Sequence, residues 1–199
     1  WLARTIRLVL AEDLLPSLFY ARDHYLAPGG RLIPDCGRME VVPVTAPAYY
    51  DKHVASWGEF SRVCAEEDLP ELDFSALRPY AANYMFFDSA KHMQAQRLAE
   101  PARVLELDFN TATKAECDSQ VEVVVQRDGV CHGWVGWFQM RLADEWLSTD
   151  GESCETHWSQ VFMPLAQPLP VVKGDRLRFS LKRPERGEWT WTTRLGDQH

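Results

Sequence analysis

The sequence has 199 residues and a mass of 22.9 kDa, enough for one ordinary domain or two small ones. Hydrophobic residues make up 46% and charged residues 25%, the proportions of a globular protein, so wholesale disorder is excluded. Lys and Arg number 21 against 29 Asp and Glu, and the net charge of −8 argues against a nucleic-acid partner, since phosphate contacts need cations. No apolar run approaches the roughly 20 residues of a membrane-spanning helix. We therefore expect a globular chain that binds neither nucleic acid nor a membrane.

Five widely spaced cysteines, with no Cys-x-x-Cys pair, predict reduced thiols. His132 follows Cys131, but this pair lacks the further ligands that a zinc site needs. We therefore expect no metal and a cytoplasmic protein, or a nuclear one in a eukaryote. The chain starts with Trp1 and shows no signal peptide, which predicts a fragment or a processed product.

The first 35 residues predict a strand, a helix and the start of another element. Residues 6–11 are apolar and rich in branched side chains, which is typical of a buried strand. A helix is predicted from about Asp13, which can cap it, with Pro16 in the first turn, where its missing N–H costs least. Pro28-Gly29-Gly30 ends this helix, and residues 31–35 begin a new element. This order indicates the C-terminal edge of an α/β domain.

After residue 35 the sequence consists mainly of short apolar runs separated by turn signals, and this pattern predicts strands. A helical and irregular stretch from about Trp57 to Phe87 interrupts them. The predicted strands are Met39 to Val44, Arg103 to Phe109, Gln120 to Arg127, Gly133 to Leu142, Trp158 to Pro164, Arg176 to Lys182 and Glu188 to Leu195. The sequence thus predicts a mostly β fold, a β-barrel or sandwich of short antiparallel strands, interrupted by a helical segment and preceded by a strand-helix remnant of an α/β domain.

Three runs of residues stand out in order along the chain. Residues 20–35 read YARDHYLAPGGRLIPD, Leu147-Ser148-Thr149 is followed by Thr156-His157-Trp158-Ser159-Gln160, and Pro168-Leu169 is followed by Val172-Lys173-Gly174-Asp175. They resemble the protein arginine methyltransferases at the join between cofactor domain and β-barrel, at the Thr-His-Trp loop and at the next barrel turn. Leu72-Asp73-Phe74-Ser75 resembles the start of the family's dimerisation arm. The resemblance covers nearly the whole chain.

The resemblance implies a two-part enzyme that transfers a methyl group from S-adenosylmethionine to a guanidinium nitrogen of arginine in a protein or peptide. The sequence contains no Gly-x-Gly turn of the kind that such cofactors need. We therefore expect this chain to be the substrate-side half, and to bind no cofactor by itself. Residues 1–35 would be the edge of the Rossmann-like cofactor domain and residues 36–199 the substrate barrel. The arm at about 57–87 would form a homodimer.

Glu12 and His157 are the catalytic residues that the resemblance implies, and we expect them to face one cleft. Guanidinium is always protonated in water, and a carboxylate can grip it through paired hydrogen bonds and orient one nitrogen. The family uses two glutamates on a hairpin, of which only Glu12 has a clear counterpart here. The alternative for Glu12 is an acid at a helix N-terminus, stabilised by the helix dipole.

The Thr-His-Trp loop supplies the other expected site residues. His157 would orient an acid or relay a proton, with a surface or packing role as the alternative. Thr156 and Trp158 are the implied substrate-binding residues, and Trp158 could equally pack the loop.

The remaining aromatic, histidine and acidic residues favour structural roles. His24 and His132 carry no supporting pattern. The acidic run Glu66-Glu67-Asp68 with Glu71 indicates a solvated face, with attraction of basic peptides as the alternative. Four tryptophans on predicted strands are expected to pack in or beside the barrel, an aromatic cage for methylated arginine being the alternative: Trp134, Trp137, Trp189 and Trp191.

Two further functions stay open beside the enzyme. The first is a non-catalytic interaction or dimerisation module derived from the same family, which the single glutamate and the missing cofactor half favour. The second is a small sugar- or ligand-binding β domain, which would require the matched runs to arise by chance.

Overall fold

The computed structural model describes residues 14–67, 73–151, 158–185 and 187–196. Its helices are α1 (Leu14–Tyr25), α2 (Pro47–Tyr50), α3 (Ser56–Glu66), α4 (Arg78–Ala82) and α5 (Ala90–Met93), with a π-helical turn at Asp51–Ala55 and a 3₁₀ turn at Ser75–Leu77. Its strands are β1 (Cys36–Thr45), β2 (Phe86–Asp88), β3 (Gln96–Arg97), β4 (Ala102–Asp108), β5 (Cys117–Val124), β6 (Gly129–Leu142), β7 (Glu145–Ser148), β8 (Gln160–Val171), β9 (Arg176–Arg183) and β10 (Thr190–Leu195).

The described strands pair antiparallel and form two sheets. The larger sheet has the order β2-β8-β6-β1-β3, with β4 pairing along the first part of β1 and β7 along the end of β6. The smaller sheet has the order β10-β9-β5, and β4 approaches β5 where the two sheets meet. Pairing among these strands leaves two separate sheets, so the described fold is a sandwich.

β6 lies at the centre of the larger sheet and is buried on both faces. Trp134 and Phe138 point into the main core, which takes side chains from both sheets. Val135 and Trp137 point to the other face, into a second core that the sheet forms with helices. The period of two along a strand assigns alternate residues of one sequence run to these two cores.

Residues 47–93 lie between β1 and β3 and are called the helical segment below. Its first part covers the larger sheet, because Tyr49, Tyr50 and Val54 pack in the second core. The Tyr50 hydroxyl shares its one proton between the carbonyls of Leu165 and Ala166, at 3.0 and 3.2 Å, and this ties the helical segment to β8.

α1 packs on the main core through Leu15 and Phe19, which are both buried. Arg22 donates from one guanidinium nitrogen to the carbonyls of Phe109 and Ala112, each at 2.7 Å. These contacts fix α1 to the sandwich at the turn that follows β4. None of the helices in the described residues has the length and hydropathy to cross a membrane.

The prediction of a mostly β fold with antiparallel strands and a helical interruption is confirmed. The helical segment begins earlier than Trp57, at Pro47, because Tyr49, Tyr50 and Val54 bury their side chains at helical spacing. Residues 31–35 were expected to begin a new element, but the strand begins only at Cys36. The short strands β2, β3 and β7 were not predicted, since two to four residues carry no readable period. The predicted strand at residues 6–11 lies outside the described residues.

Candidate functional site

Trp158 is the one expected site residue within the described part of the chain. Glu12, Thr156 and His157 lie outside the described residues, so their roles and their expected common cleft stay predictions. Trp158 is half-buried against the main core, and its ring meets that of Phe138 edge-on with 5.7 Å between centroids. This contact gives Trp158 a packing role, and its contact with a substrate stays a prediction.

The residues that precede and follow 152–157 are held firmly. Thr149 is fully buried, and its hydroxyl donates to the carbonyl of Phe138 at 2.9 Å. The Thr149 backbone N–H donates to the same carbonyl at 3.0 Å. On the other side, the Gln160 side chain donates to the carbonyl of Thr149. Both ends of this part of the Thr-His-Trp loop are therefore anchored on the sandwich.

Two polar residues outside this loop, His132 and Asp35, have clear structural partners. The Nδ1 atom of His132 accepts from the backbone N–H of Ala46 at 3.3 Å, and burial lowers the pKa of this imidazole. Asp35 pairs with Arg141 at 2.7 Å, and this hydrogen bond lowers the pKa of the carboxyl. His132 is thus a packing residue, in agreement with its predicted structural role.

The other residues given structural roles follow the same pattern where they are described. Trp134 and Trp137 are buried, while Trp189 and Trp191 pack against the main core, the last donating to the Pro164 carbonyl at 2.9 Å. His24 is exposed and stacks on Tyr20 with 3.9 Å between ring centroids. Glu66 pairs with Arg62 on an exposed helix face, while Asp68 and Glu71 lie outside the described residues.

The described cysteines are buried, and the described residues form no metal-binding cluster. Cys36, Cys64, Cys117 and Cys131 carry free, buried thiols, and Cys154 lies outside the described residues. Burial raises the pKa of Cys117 to about 11 and that of Cys131 to about 12, which suppresses the reactive thiolate. The described residues contain no group of three His, Cys, Asp or Glu that could hold a metal ion.

An apolar groove of about 760 Å³ opens on the helical segment. Its rim is formed by four large side chains that remain exposed, and we call this set the arm face: Trp57, Leu77, Tyr80 and Tyr84. Tyr80 is 76% exposed and Tyr84 61%, although aromatic side chains are the ones that gain most from burial. A contiguous exposed apolar surface of this kind marks an interaction site.

His53 and Lys52 also line this groove and give it a polar part. The His53 ring packs between Tyr49 and Phe86, with centroids at 4.3 and 4.9 Å. Burial lowers the pKa of His53, and its Nε2 atom is buried with no hydrogen-bond partner among the described residues. A neutral imidazole therefore offers one hydrogen-bonding atom beside an otherwise apolar surface.

The family model described as the arginine methyltransferase oligomerization subdomain matches residues 35–190. This chain belongs to the protein arginine methyltransferase family. Protein arginine N-methyltransferase 2 of Xenopus tropicalis is 31% identical over 194 residues, which are 91% of this chain and 42% of the relative. The human protein arginine N-methyltransferase 2 is 26% identical over 181 residues, 84% of this chain and 40% of the relative. The chain thus spans less than half the length of these curated relatives.

Two solved structures share the fold of this arginine methyltransferase chain. One is a chain of the Trypanosoma brucei PRMT1 enzyme–prozyme heterotetrameric complex with AdoHcy, with a TM-score of 0.74, 24% identity, and coverage of 87% of this chain and 54% of that one. The other is protein arginine methyltransferase 10 of Arabidopsis thaliana, with a TM-score of 0.62, 21% identity, and coverage of 94% and 67%. The resemblance that the sequence motifs indicated is thereby confirmed at the level of family and fold.

Sequence reasoning missed two polar residues that organise this arginine methyltransferase chain. Arg22 fixes α1 to the sandwich, and Gln160 anchors the end of the Thr-His-Trp loop. The one signal for Gln160 was a polar side chain directly before the apolar run Val161 to Ala166, and that signal does not show which groups the side chain contacts. Arg22 carried none, since a long cationic side chain in an exposed-looking helix gives no hint of which carbonyls it reaches.

Proposed function

We propose that this chain is the substrate-side and oligomerisation portion of a protein arginine methyltransferase. The whole protein would transfer a methyl group from S-adenosylmethionine to a guanidinium nitrogen of arginine in a protein or peptide. The observation that carries the proposal is the match of residues 35–190 to the oligomerisation subdomain of this family. The buried free thiols of the described residues support a reducing compartment, the cytoplasm or nucleus.

The proposed chemistry depends on two residues of this chain. The Glu12 carboxylate would accept hydrogen bonds from the substrate guanidinium and draw its positive charge away from the nitrogen that is methylated. His157 would orient an acidic partner or the substrate from the sandwich side. The methyl donor is proposed for the whole protein only, because this sequence lacks the glycine-rich turn that would hold it.

The proposed oligomer is a homodimer formed through the helical segment. The arm face is exposed in the single chain and lines a groove, so a second copy would remove Trp57, Leu77, Tyr80 and Tyr84 from water. A two-fold arrangement is the commonest closed form for identical chains. The heterotetrameric complex of the Trypanosoma brucei PRMT1 enzyme and prozyme supports assembly within this family.

The experiment that tests the enzyme is methylation of arginine-rich peptides by the longest natural form of the protein. Glu12→Gln keeps the side-chain shape and removes its charge, and we expect the rate to fall on the order of a hundredfold. His157→Ala should cost roughly tenfold, because water replaces part of an orienting role. Glu116→Gln, a change at an exposed residue, is the matched control and should leave the rate unchanged.

A non-catalytic dimerisation module is the second candidate, favoured by the single glutamate before α1. It predicts a stable dimer of the longest natural form that transfers no methyl group to any arginine peptide. Near-normal turnover of Glu12→Gln would instead leave an enzyme in which Glu12 is only an acid at a helix terminus.

A further inference from the structure

Gln160 joins two segments that are distant in sequence. The residue opens β8 and is only 3% exposed. Its Nε2 atom donates to the carbonyl of Thr149, while its Oε1 atom accepts from the backbone N–H of Ala90 at 2.6 Å. The Gln160 carboxamide therefore connects Thr149 with Ala90, the first residue of α5 in the helical segment.

The Ala90 side of this bridge belongs to the base of the helical segment. Asp88 lies opposite Gln160 in the pairing of β2 with β8. The Asp88 carboxylate accepts from the backbone N–H of Ser89 at 2.7 Å and pairs with His92 at 2.9 Å. Burial, together with the charge of Asp88, raises the pKa of Tyr49 to about 12. Through Asp88, these contacts link Gln160 to Tyr49 and His92 of the helical segment.

The Thr149 side is equally constrained. Thr149 is fixed to Phe138 of β6 by its backbone N–H and its hydroxyl. Gly151 has a φ of +81°, and a Cβ atom there would lie 3.3 Å from the Gln160 amide nitrogen. The chain thus turns tightly over the Gln160 side chain just before residues 152–157.

Only a carboxamide of this length fits both contacts. The side chain must donate to one buried carbonyl and accept from one backbone N–H at the same time. Glutamate would place a second acceptor against the Thr149 carbonyl, and methionine would leave both backbone groups without a partner. Gln160 therefore has the side chain needed to hold Thr149 and Ala90 in fixed positions relative to each other.

We propose that Gln160 is a positioning residue that transmits the placement of the helical segment to the Thr-His-Trp loop. The inference rests on the proposed function, because that loop would line the arginine site. Formation of the dimer on the arm face would fix the helical segment, and Gln160 would carry this constraint to Thr149. Gln160 itself touches no substrate in this scheme.

The first test compares Gln160→Met and Gln160→Glu with wild type in the longest natural form of the protein. We expect kcat/KM for an arginine peptide to fall about tenfold in both variants, as small displacements at a site can cost up to a hundredfold. The loss should appear in the peptide KM or in kcat, while KM for S-adenosylmethionine stays within twofold. Gln126→Met removes an exposed glutamine in the turn between β5 and β6, and should change none of these values.

The second test measures coupling by a double-mutant cycle with Tyr80→Ala, a variant of the arm face. If Gln160 transmits the placement of the helical segment, Tyr80→Ala and Gln160→Met interrupt the same linkage. The double variant should then lose less kcat/KM than the product of the two single fold-losses. Effects that multiply fully, an equal rise in both KM values, or a normal kcat/KM in Gln160→Met would each overturn the proposal.

Hydrogen exchange separates failure of this proposal from failure of the proposed function. In Gln160→Met, peptides covering residues 86–93 should exchange faster than in wild type, because the Ala90 N–H loses its acceptor. Unchanged exchange there would overturn the link. A wild-type protein that methylates no arginine peptide would instead contradict the proposed function, and exchange would then decide the link by itself.

Discussion

The sandwich and the helical segment hold similar aromatic side chains in opposite surroundings. Trp134, in the sandwich, is fully buried, packs on Phe179 with 4.5 Å between ring centroids and donates to the Thr193 hydroxyl at 2.9 Å. Trp57, in the helical segment, is 37% exposed on the rim of an apolar groove. The sandwich therefore buries its large aromatic side chains within the chain, while the helical segment buries only its base and leaves the arm face exposed.

The largest expected effect contrasts these two tryptophans. Trp134→Ala should destabilise the 199-residue chain by about 3–5 kcal/mol, since it removes a fully buried indole and leaves a cavity. Trp57→Ala should weaken self-association and change the stability of the monomer little. Urea unfolding, followed by circular dichroism at a protein concentration below the dimer dissociation constant, measures the stability of both variants. Equal losses of stability would erase the distinction between the two regions.

The next effect concerns the most exposed tyrosine of the arm face. Tyr80→Ala should raise the dimer dissociation constant by roughly thirtyfold, the value of an interface hot spot of about 2 kcal/mol. Tyr25→Ala is the matched control, because Tyr25 on α1 has the same exposure of 76% but lies outside the groove. Sedimentation across a dilution series measures both constants. A loss of the same size in Tyr25→Ala would show that the interface is not specific to the arm face.

A smaller effect tests how α1 is held on the sandwich. Arg22→Met should cost about 1–2 kcal/mol of stability, because the carbonyls of Phe109 and Ala112 lose their donor. Arg62→Met, which removes an exposed helix pair with Glu66, should cost less than about 0.5 kcal/mol. Urea unfolding of both variants gives the comparison. If Arg22→Met were as mild as Arg62→Met, α1 would depend on Leu15 and Phe19 alone.

The smallest effect is a pH dependence of the packing between β6 and the helical segment. Burial lowers the pKa of His132, so the unfolded chain takes up a proton there before the folded chain does. The stability that depends on neutral His132 is therefore fully present above the unfolded pKa of about 6.5 and is lost as the pH falls from there through the lower folded pKa. His132→Gln should flatten the slope of Tm between about pH 7 and pH 5. The exposed His24→Gln variant serves as the control, and an unchanged slope in His132→Gln would contradict the assignment.

Much of the sandwich could be predicted from the sequence, because most of its strands are apolar runs separated by turn signals. β6 was predicted from residue 133, and its buried run Trp134 to Phe138 explains why. β2 and β3 escaped prediction, since each is too short for a period and forms only by pairing with a distant strand. The start of the helical segment escaped because it depends on long-range packing of Tyr49 and Tyr50.

The candidate site was less accessible to sequence reasoning than the fold. Motif resemblance singled out Glu12, His157, Thr156 and Trp158, which are close to one another only if the fold brings them together. The bridge made by Gln160 joins positions 70 residues apart in sequence, and no local pattern reports such a contact. Hydrogen bonds between a side chain and a distant backbone group are set by the assembled fold, and they have no signature in the sequence alone.

We propose that the arm face forms a dimer on which arginine methylation depends. The most direct test measures molecular mass by light scattering and methylation of an arginine-rich peptide on the same dilution series of the longest natural form. We predict that specific activity falls in step with dimer dissociation, and that Tyr80→Ala shifts both curves together to higher concentration. Full specific activity in a monomer, or a dimer that persists unchanged in Tyr80→Ala, would contradict this account.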